Sequence, residues 1–196
     1  TAMGMAQLLD EPEYTPTIVG AADELMPRIL QGEVDIAAVP ANLAATLYQK
    51  TQGGVTVLAV NVLGVLYVGE LGGDTVQSVA DLKGKTLLAT GKGATPEYFL
   101  RYLLTQNGLD PDKDVAIQWK SEPSEVVALL NAKGEGLAML PQPYVTAAAN
   151  QLGENFRIAL SVSEEWEKLE SDSRCTTAVV MARTAFVQEH PEQVQA

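Results

Sequence analysis

The residues with the clearest chemical potential lie in GKGATPEYFLRYLL, residues 91–104. Gly91 and Gly93 allow the backbone to turn tightly or to approach a ligand closely. Thr95 is a good N-cap residue and Pro96 suits the first helical position, so the segment predicts a loop followed by a helix. A helix N-terminus offers unpaired N–H groups and the positive end of the helix dipole. The loop therefore predicts a site for an anion or a carbonyl oxygen.

Lys92 would add a positive charge to this loop. The spacing is not that of a P-loop, which needs GxxxxGK[ST]. It is not the dinucleotide-binding GxGxxG either, because Glu97 follows Pro96 where a third glycine or alanine is expected. The alternative is an ordinary surface turn between a strand and a helix, with Lys92 in solvent.

One phrase of the sequence occurs twice, as DELMPRILQGEVDIAAVPAN at residues 23–42 and as SEVVALLNAKGEGLAMLPQP at residues 124–143. Each copy predicts a helix, a turn containing glycine, a buried strand and a proline at the end of that strand. Ligands bind at the carboxyl ends of strands in open α/β sheets. Two such ends predict two lobes that face each other across a cleft, with Pro40 opposite Pro141. The alternative is the general resemblance that all α/β units share.

Four other places could contribute ligand contacts. Asn42 follows the first repeated strand and could contact a ligand or cap its helix. Tyr144 follows the second and could stack on a ligand or pack against the protein. Asn61 lies where the chain is expected to pass between lobes, so it could bind a ligand or the hinge backbone. Residues 1–5, TAMGM, are typical of a loop that leads into a helix N-terminus.

The composition argues against several classes of function. A net charge of −12 leaves no basic stripe for nucleic acid. Cys175 and His190 are the sole cysteine and the sole histidine, which excludes a Cys/His metal cluster and most acid–base or triad chemistry. No carboxylate pair stands at an apolar strand end, and no apolar run has the length of a membrane helix. We therefore expect a protein that is not an enzyme and that uses no cofactor or metal.

The elements that would position these residues alternate between apolar strands and helical patterns. This alternation predicts an α/β fold with mostly parallel sheets. It breaks at residues 62–70, VLGVLYVGE, where one strand follows another without a helix, and residues 176–183, TTAVVMAR, predict a return strand. We expect lobe 1 to consist of residues 1–70 plus 174–196 and lobe 2 of residues 71–173, with two crossovers between them.

Five segments together carry a family resemblance: GEVDIAAVPANLAATLYQK, VTVLAVNVLGVLYV, SVADLKGKTLLATGKGATPEYFLRYLL, NGLDPDKDV and AFVQEHPE. The sequence resembles the ABC-transporter substrate-binding proteins of the nitrate/sulfonate/taurine (SsuA/TauA/NMT1-like) and thiamine-pyrimidine-precursor group. The resemblance implies the type II periplasmic-binding-protein fold, a clam-shell of two α/β lobes with two interlobe crossovers and a ligand held between them. The family's first strand and last helices have no counterpart in this sequence.

The resemblance also implies which residues contact the ligand, since members of the family use helix N-termini and strand ends. Carried over to this sequence, the ligand-binding residues are Thr1, Met3, Gly4, Ala41, Asn42, Asn61, Lys92, Gly93, Ala94, Thr95, Gln142, Tyr144 and Thr176. No arginine stands at these strand ends, which argues against the bidentate clamp that usually holds a sulfonate or carboxylate. The binding of an anion would depend on backbone N–H groups and Lys92. A neutral pyrimidine-like ligand is the alternative.

The implied function is that of the solute-binding component of an ABC importer, which closes on a small molecule and docks on a membrane permease. The protein is then expected to be monomeric and extracytoplasmic, either periplasmic or lipid-anchored as a lipoprotein, with a signal segment that this chain lacks. The alternative is the ligand-sensing domain of a regulator, built on the same fold and fused to a DNA-binding or kinase module.

Overall fold

The computed structural model describes residues 14–19, 24–170 and 172–195 of the chain. Helices and strands alternate along most of this length. The first half contains α1 (Leu25–Gln31), β1 (Ile36–Pro40), α2 (Ala41–Lys50), β2 (Val55–Leu63), β3 (Leu66–Leu71) and β4 (Thr86–Thr90). The second half contains α3 (Thr95–Gln106), β5 (Ala116–Lys120), α4 (Pro123–Lys133), β6 (Gly136–Pro141), α5 (Tyr144–Leu152), β7 (Phe156–Ser161), α6 (Val162–Leu169), β8 (Thr176–Arg183), α7 (Thr184–Glu189) and α8 (Pro191–Gln195). Short 3₁₀ helices at Val79–Leu82 and Gly153–Asn155 precede β4 and β7.

These elements form two compact units. Among the described residues, the second unit is the segment Val62–Thr177, and the first unit combines those up to Asn61 with those from Ala178 onward. The boundaries fall inside β2 and β8, so each of these strands continues from one unit into the other. The division expected from the sequence, at 70/71 and 173/174, differs because β3 pairs with β6 and β7 and so belongs to the second unit.

The first unit is built around a three-stranded sheet in the order β1-β8-β2. β1 and β8 are antiparallel, with Pro40 at the end of β1 opposite Ala178. α2 contributes Leu43, Ala44 and Leu47 to the core of this unit, because their helical spacing places them on one buried face. The first of the two repeated strands therefore ends beside β8.

The second unit has a five-stranded sheet in the order β5-β4-β6-β3-β7. β4 is parallel to β5 and β6, whereas β3 is antiparallel to β6 and β7. The α/β class is confirmed, but the expectation of mostly parallel sheets applies within this sheet to β5, β4 and β6 alone. The reason is that β3 follows β2 directly. β3 begins at the edge at which β4 and β6 end, with Leu66 opposite Pro141, and is therefore antiparallel to both strands.

Both faces of this sheet are covered, which is why its central strands are continuous apolar runs. Leu87 and Ala89 of β4 face one side, where they pack with residues of α3, α6 and the first 3₁₀ helix. Leu88 faces the other side, where it packs with residues of α4 and α5. This alternation fixes the register of β4, because a slip of one residue would exchange the two faces. The position of the loop after β4 follows from that register.

A buried ion pair joins β3 to β7 at the edge of the sheet where β3 ends. Glu70 is 4% exposed and lies opposite Arg157 in the strand register. A guanidinium nitrogen of Arg157 donates to the Glu70 carboxylate at 2.6 Å. The same carboxylate accepts hydrogen bonds from the backbone and hydroxyl of Thr75 and from the backbone of Val76. Because Arg157 also donates to the carbonyl of Val76, the pair fastens the loop after β3 to β7.

The Glu70 carboxylate makes the stability of the second unit depend on pH. Burial alone would raise the pKa of Glu70, but hydrogen bonds from Thr75, Arg157 and Val76 outweigh burial and hold the pKa below its ordinary value of 4.5. A lowered pKa contributes stability that is complete above about 4.5 and is lost as the pH falls through the folded-state pKa. We therefore expect Glu70→Gln to lower the free energy of unfolding most at neutral pH and less as the pH falls. The free energy of unfolding of the variant should then depend less steeply on pH below about 4.5, as measured by urea unfolding from pH 7 to pH 3. Parallel pH profiles for the two proteins would contradict this expectation.

Candidate functional site

The carboxyl ends of β4 and β6 lie side by side at one edge of the sheet of the second unit. The two strands are parallel, with Ala89 opposite Met139. β3 is antiparallel and begins at the same edge, where Leu66 is opposite Pro141. The loops after β4 and β6 and the turn before β3 are therefore neighbours. Open α/β sheets bind ligands at strand ends of this kind, so this edge is the candidate site of the second unit.

The loop after β4 turns on two glycines with positive φ angles, +86° at Gly91 and +77° at Gly93. A Cβ atom at Gly91 would come within 2.8 Å of Pro96, whereas one at Gly93 would meet nothing within 4 Å. Ala94 is the N-cap residue of α3, and Thr95 is its first helical residue rather than the cap that the sequence predicts. The open space beside Gly93 is compatible with the close approach of a ligand.

A carboxylate of the protein itself occupies the N-terminal end of α3. The N–H of Gly93 donates to Oε2 of Glu97 at 2.6 Å. The expectation of unpaired N–H groups at this helix end is therefore wrong for Gly93, because a glutamate in the first turn reaches back to an N–H that precedes the helix. Lys92 is exposed beside it. An anionic ligand at this loop would meet Lys92 and Glu97 as opposing charges.

The loop after β6 is held to the turn before β3 by a backbone hydrogen bond. The N–H of Gln142 donates to the carbonyl of Val65 at 2.8 Å, and the side-chain oxygen of Gln142 accepts a hydrogen bond from the hydroxyl of Thr146. Gln142 is exposed, and Tyr144, the first residue of α5, is 37% exposed. Because Tyr144 presents part of its ring to solvent, it can stack on a ligand without first leaving a packed core.

The segment that leads into β8 lies against the same loops. The hydroxyl of Thr95, which is 5% exposed, donates to the carbonyl of Thr177 at 3.4 Å. The N–H of Gly64, in the turn before β3, donates to the carbonyl of Cys175 at 2.9 Å. Thr176 directs its hydroxyl to a backbone carbonyl two residues earlier. The sequence-based prediction named Thr176 and not Thr177, because alternation along a strand does not reveal which of two adjacent threonines lies against a neighbouring loop.

The sole cysteine of the sequence is buried, and the sole histidine is exposed. Burial raises the pKa of the Cys175 thiol to about 12, so this thiol stays protonated at neutral pH. His190 is exposed at the end of α7 and lies against Phe186, with 4.9 Å between ring centroids. Among the described residues, no group of three His, Cys, Asp or Glu side chains could hold a metal ion. Nor does the described part of the chain contain a helix with the length and apolar character of a membrane span.

In the first unit, two of the predicted contacts lie at the start of α2, directly after β1. Ala41 and Asn42 are the first two residues of α2, directly after the N-cap residue Pro40. Asn42 thus lies in the first turn rather than at the cap position that the sequence suggests. Asn61 lies near the end of β2 and is partly buried. Outside the described residues are the three remaining predicted contacts, Thr1, Met3 and Gly4.

A groove of about 340 Å³ opens on the surface of the first unit. Its lining comes from α2, β2 and β8 and consists of Ala41, Ala44, Ala45, Tyr48, Gln49, Val55, Val57 and Val179. Ligand pockets combine apolar walls with several convergent polar groups. This groove has almost none, so the strand ends remain the better candidate for the site.

Comparisons with known proteins place the chain in a family. A protein-family model of the NMT1-like family matches residues 15–196. The chain belongs to the NMT1-like family. The match confirms the resemblance seen in the sequence segments around β1, β4 and α3. A comparison of this NMT1-like protein with curated proteins gave no match.

Solved structures similar to this NMT1-like protein confirm the periplasmic-binding-protein fold. The periplasmic aliphatic sulphonate-binding protein SsuA of Escherichia coli aligns with a TM-score of 0.72 and 17% identity, over 99% of this chain and 64% of its own. The alkanesulfonate-binding protein SsuA of Xanthomonas axonopodis pv. citri, bound to MOPS, aligns with a TM-score of 0.61 and 19% identity, over 89% of this chain and 56% of its own. An ABC transporter of Parabacteroides distasonis aligns with a TM-score of 0.71 and 19% identity, over 98% of this chain and 71% of its own. The chain thus spans less than two thirds of the length of either SsuA protein.

Proposed function

We propose that this NMT1-like protein is the solute-binding component of an ABC importer. The observation that carries the proposal is the family match over residues 15–196, together with a fold of the periplasmic-binding-protein type. In the second unit, the ends of β4 and β6 and the segment before β8 bring polar groups to one sheet edge. A small molecule bound there and at the end of β1 would stabilise a closed form in proportion to its differential affinity for the open and closed forms. The closed form would then deliver its ligand to a membrane permease.

The charges at this edge bear on the chemistry of the ligand. Lys92 favours an anion, Glu97 opposes one, and the exposed amide of Gln142 can donate to a neutral or charged acceptor. We therefore propose a small solute that carries oxygen atoms able to accept hydrogen bonds. Alkyl sulfonates are the first class to test, since both similar SsuA structures are named as sulfonate-binding proteins. One similar structure is named as a periplasmic binding protein and another as an ABC transporter, which favours an extracytoplasmic carrier over the sensing domain of a regulator. We propose further that the carrier is monomeric and has no enzymatic turnover.

A thermal-shift panel tests this proposal with ethanesulfonate, MOPS, nitrate and an aminopyrimidine as probes. A ligand at 100 times its dissociation constant stabilises the folded state by about 2.7 kcal/mol. That stabilisation corresponds to a rise in the unfolding midpoint of roughly 5–10 °C for a chain of this size. The rise should grow with ligand concentration. An unchanged midpoint with every probe would overturn the proposed function.

Lys92→Ala is expected to weaken the binding of an anionic probe about fivefold, the scale of one exposed charge pair. A neutral probe should bind the variant as it binds the wild type, and titration calorimetry measures both. Lys133→Ala is the matched control, because Lys133 is also exposed but ends α4 at the opposite edge of the sheet. If the Lys92 variant bound an anionic probe with unchanged affinity, Lys92 would not belong to the site.

A further inference from the structure

The hydroxyl of Thr177 is a buried polar group for which the described residues provide no hydrogen-bond partner. Most buried hydroxyls in folded proteins are hydrogen-bonded, and one that is not lowers the stability of the fold. The threonines around it differ, since the hydroxyls of Thr176 and Thr95 both donate to backbone carbonyls. The missing partner is therefore a local property of Thr177 that needs a physical reason.

The position of Thr177 supplies a reason. The hydroxyl of Thr95 donates to the carbonyl of Thr177 at 3.4 Å, and both residues belong to the second unit. Thr95 is the first residue of α3, directly after the loop 91–94. The backbone of Thr177 thus touches the loop that carries Lys92, at the edge where the proposed ligand binds.

We propose that Thr177 is a ligand-binding residue whose hydroxyl donates a hydrogen bond to an oxygen atom of the bound solute. The inference rests on the proposed function and adds to it a specific contact from the segment that enters β8. Thr177 as a whole is only partly buried, so a change between staggered χ1 rotamers can turn its hydroxyl toward a ligand. A carboxylate, sulfonate or carbonyl oxygen would then satisfy the donor. Solutes without such an oxygen would leave it unsatisfied and bind more weakly.

The test compares Thr177→Val, which keeps the shape of the side chain and removes the hydroxyl, with Thr177→Ser, which keeps the hydroxyl. Thr86→Val is the control, because Thr86 is exposed and begins β4 at the opposite edge of the sheet. With ethanesulfonate and MOPS as probes, we expect Thr177→Val to raise the dissociation constant about tenfold, the net worth of one hydrogen bond. Thr177→Ser and Thr86→Val should stay within about twofold of the wild type. Without a probe, Thr177→Val should melt at or above the wild-type midpoint, because it removes a buried polar group that lacks a partner.

The outcomes separate this inference from the proposed function. If the wild type binds a probe and Thr177→Val binds it equally well, Thr177 is not a ligand contact, and the proposed function still stands. If probe-free Thr177→Val melts clearly below the wild type while Thr177→Ser does not, the hydroxyl has an internal role, and the inference is again overturned. If the wild type binds no probe of the panel, both the proposed function and this inference are overturned.

Discussion

Arg157→Ala is expected to destabilise the second unit by about 2–3 kcal/mol. The corresponding fall in the unfolding midpoint is roughly 5–10 °C. The guanidinium of Arg157 lies 2.6 Å from Glu70 and 3.0 Å from Asp74. The Glu70 side chain is 5% exposed, so in the variant water cannot solvate its carboxylate in place of the missing guanidinium. The expected loss lies just below the range of about 3–5 kcal/mol for fully buried pairs. The reason is that the Arg157 side chain is itself 28% exposed.

Arg101→Ala is the matched control for this prediction. Arg101 donates two parallel hydrogen bonds to the carboxylate of Asp112, at 2.8 and 2.7 Å. The geometry of this pair is at least as good as that of Arg157 with Glu70, but its side chains are 37% and 66% exposed. Because solvent screens an exposed pair, its removal should move the unfolding midpoint far less. Equal losses from the two substitutions would contradict the view that burial decides the strength of the Glu70 pair.

The helices and strands around the candidate site could be predicted from the sequence, because apolar alternation and turn residues are local signals. Both copies of the repeated phrase fold as expected, the first as α1 and β1 and the second as α4 and β6. The loop and helix predicted for residues 91–104 are also present, with α3 beginning at Thr95. That Pro40 and Pro141 face each other across a cleft stays a prediction.

Other features depended on contacts between segments that are distant in the sequence. The direction of β3 follows from the edge at which it enters the sheet, and no pattern within residues 66–71 encodes that edge. The N–H of Gly93 donates to Glu97, and the sequence alone is equally consistent with a ligand as its partner. The buried state of the Thr177 hydroxyl depends on the packing around the start of β8, which local propensity does not describe.

The two edges of the sheet in the second unit differ in what they hold. Glu70 and Arg157 fasten the edge at which β3 ends. The opposite edge carries the glycine loop, Gln142 and the hydroxyl of Thr177. Binding sites commonly retain strained or unsatisfied groups that the rest of a fold must offset. The buried ion pair is suited to that role, because it stabilises the sheet without occupying the ends of β4 and β6.

Gly69→Ala is expected to destabilise the second unit by about 3 kcal/mol, although it adds a single methyl group. A Cβ atom at Gly69 would lie 2.2 Å from Cζ and 2.6 Å from Cε2 of Phe156. Phe156 is 6% exposed and packs with Leu71 and Leu88, so its ring cannot move aside without disturbing the core. The ring covers the glycine where the register of β3 with β7 shifts between Val68 and Gly69, an arrangement in which an aromatic residue shields a strand glycine.

A double-mutant cycle with Phe156→Leu isolates this contact. Phe156→Leu alone should cost about 1–2 kcal/mol, because it removes buried carbon atoms without adding a clash. In that background the new methyl group at Gly69 has room. The loss of stability in the double variant should therefore be smaller than the sum of the two single losses, by at least about 1 kcal/mol. Urea unfolding of the four proteins measures the coupling. Additive losses would mean that the methyl group meets something other than the Phe156 ring, and that the ring is not what requires a glycine at this position.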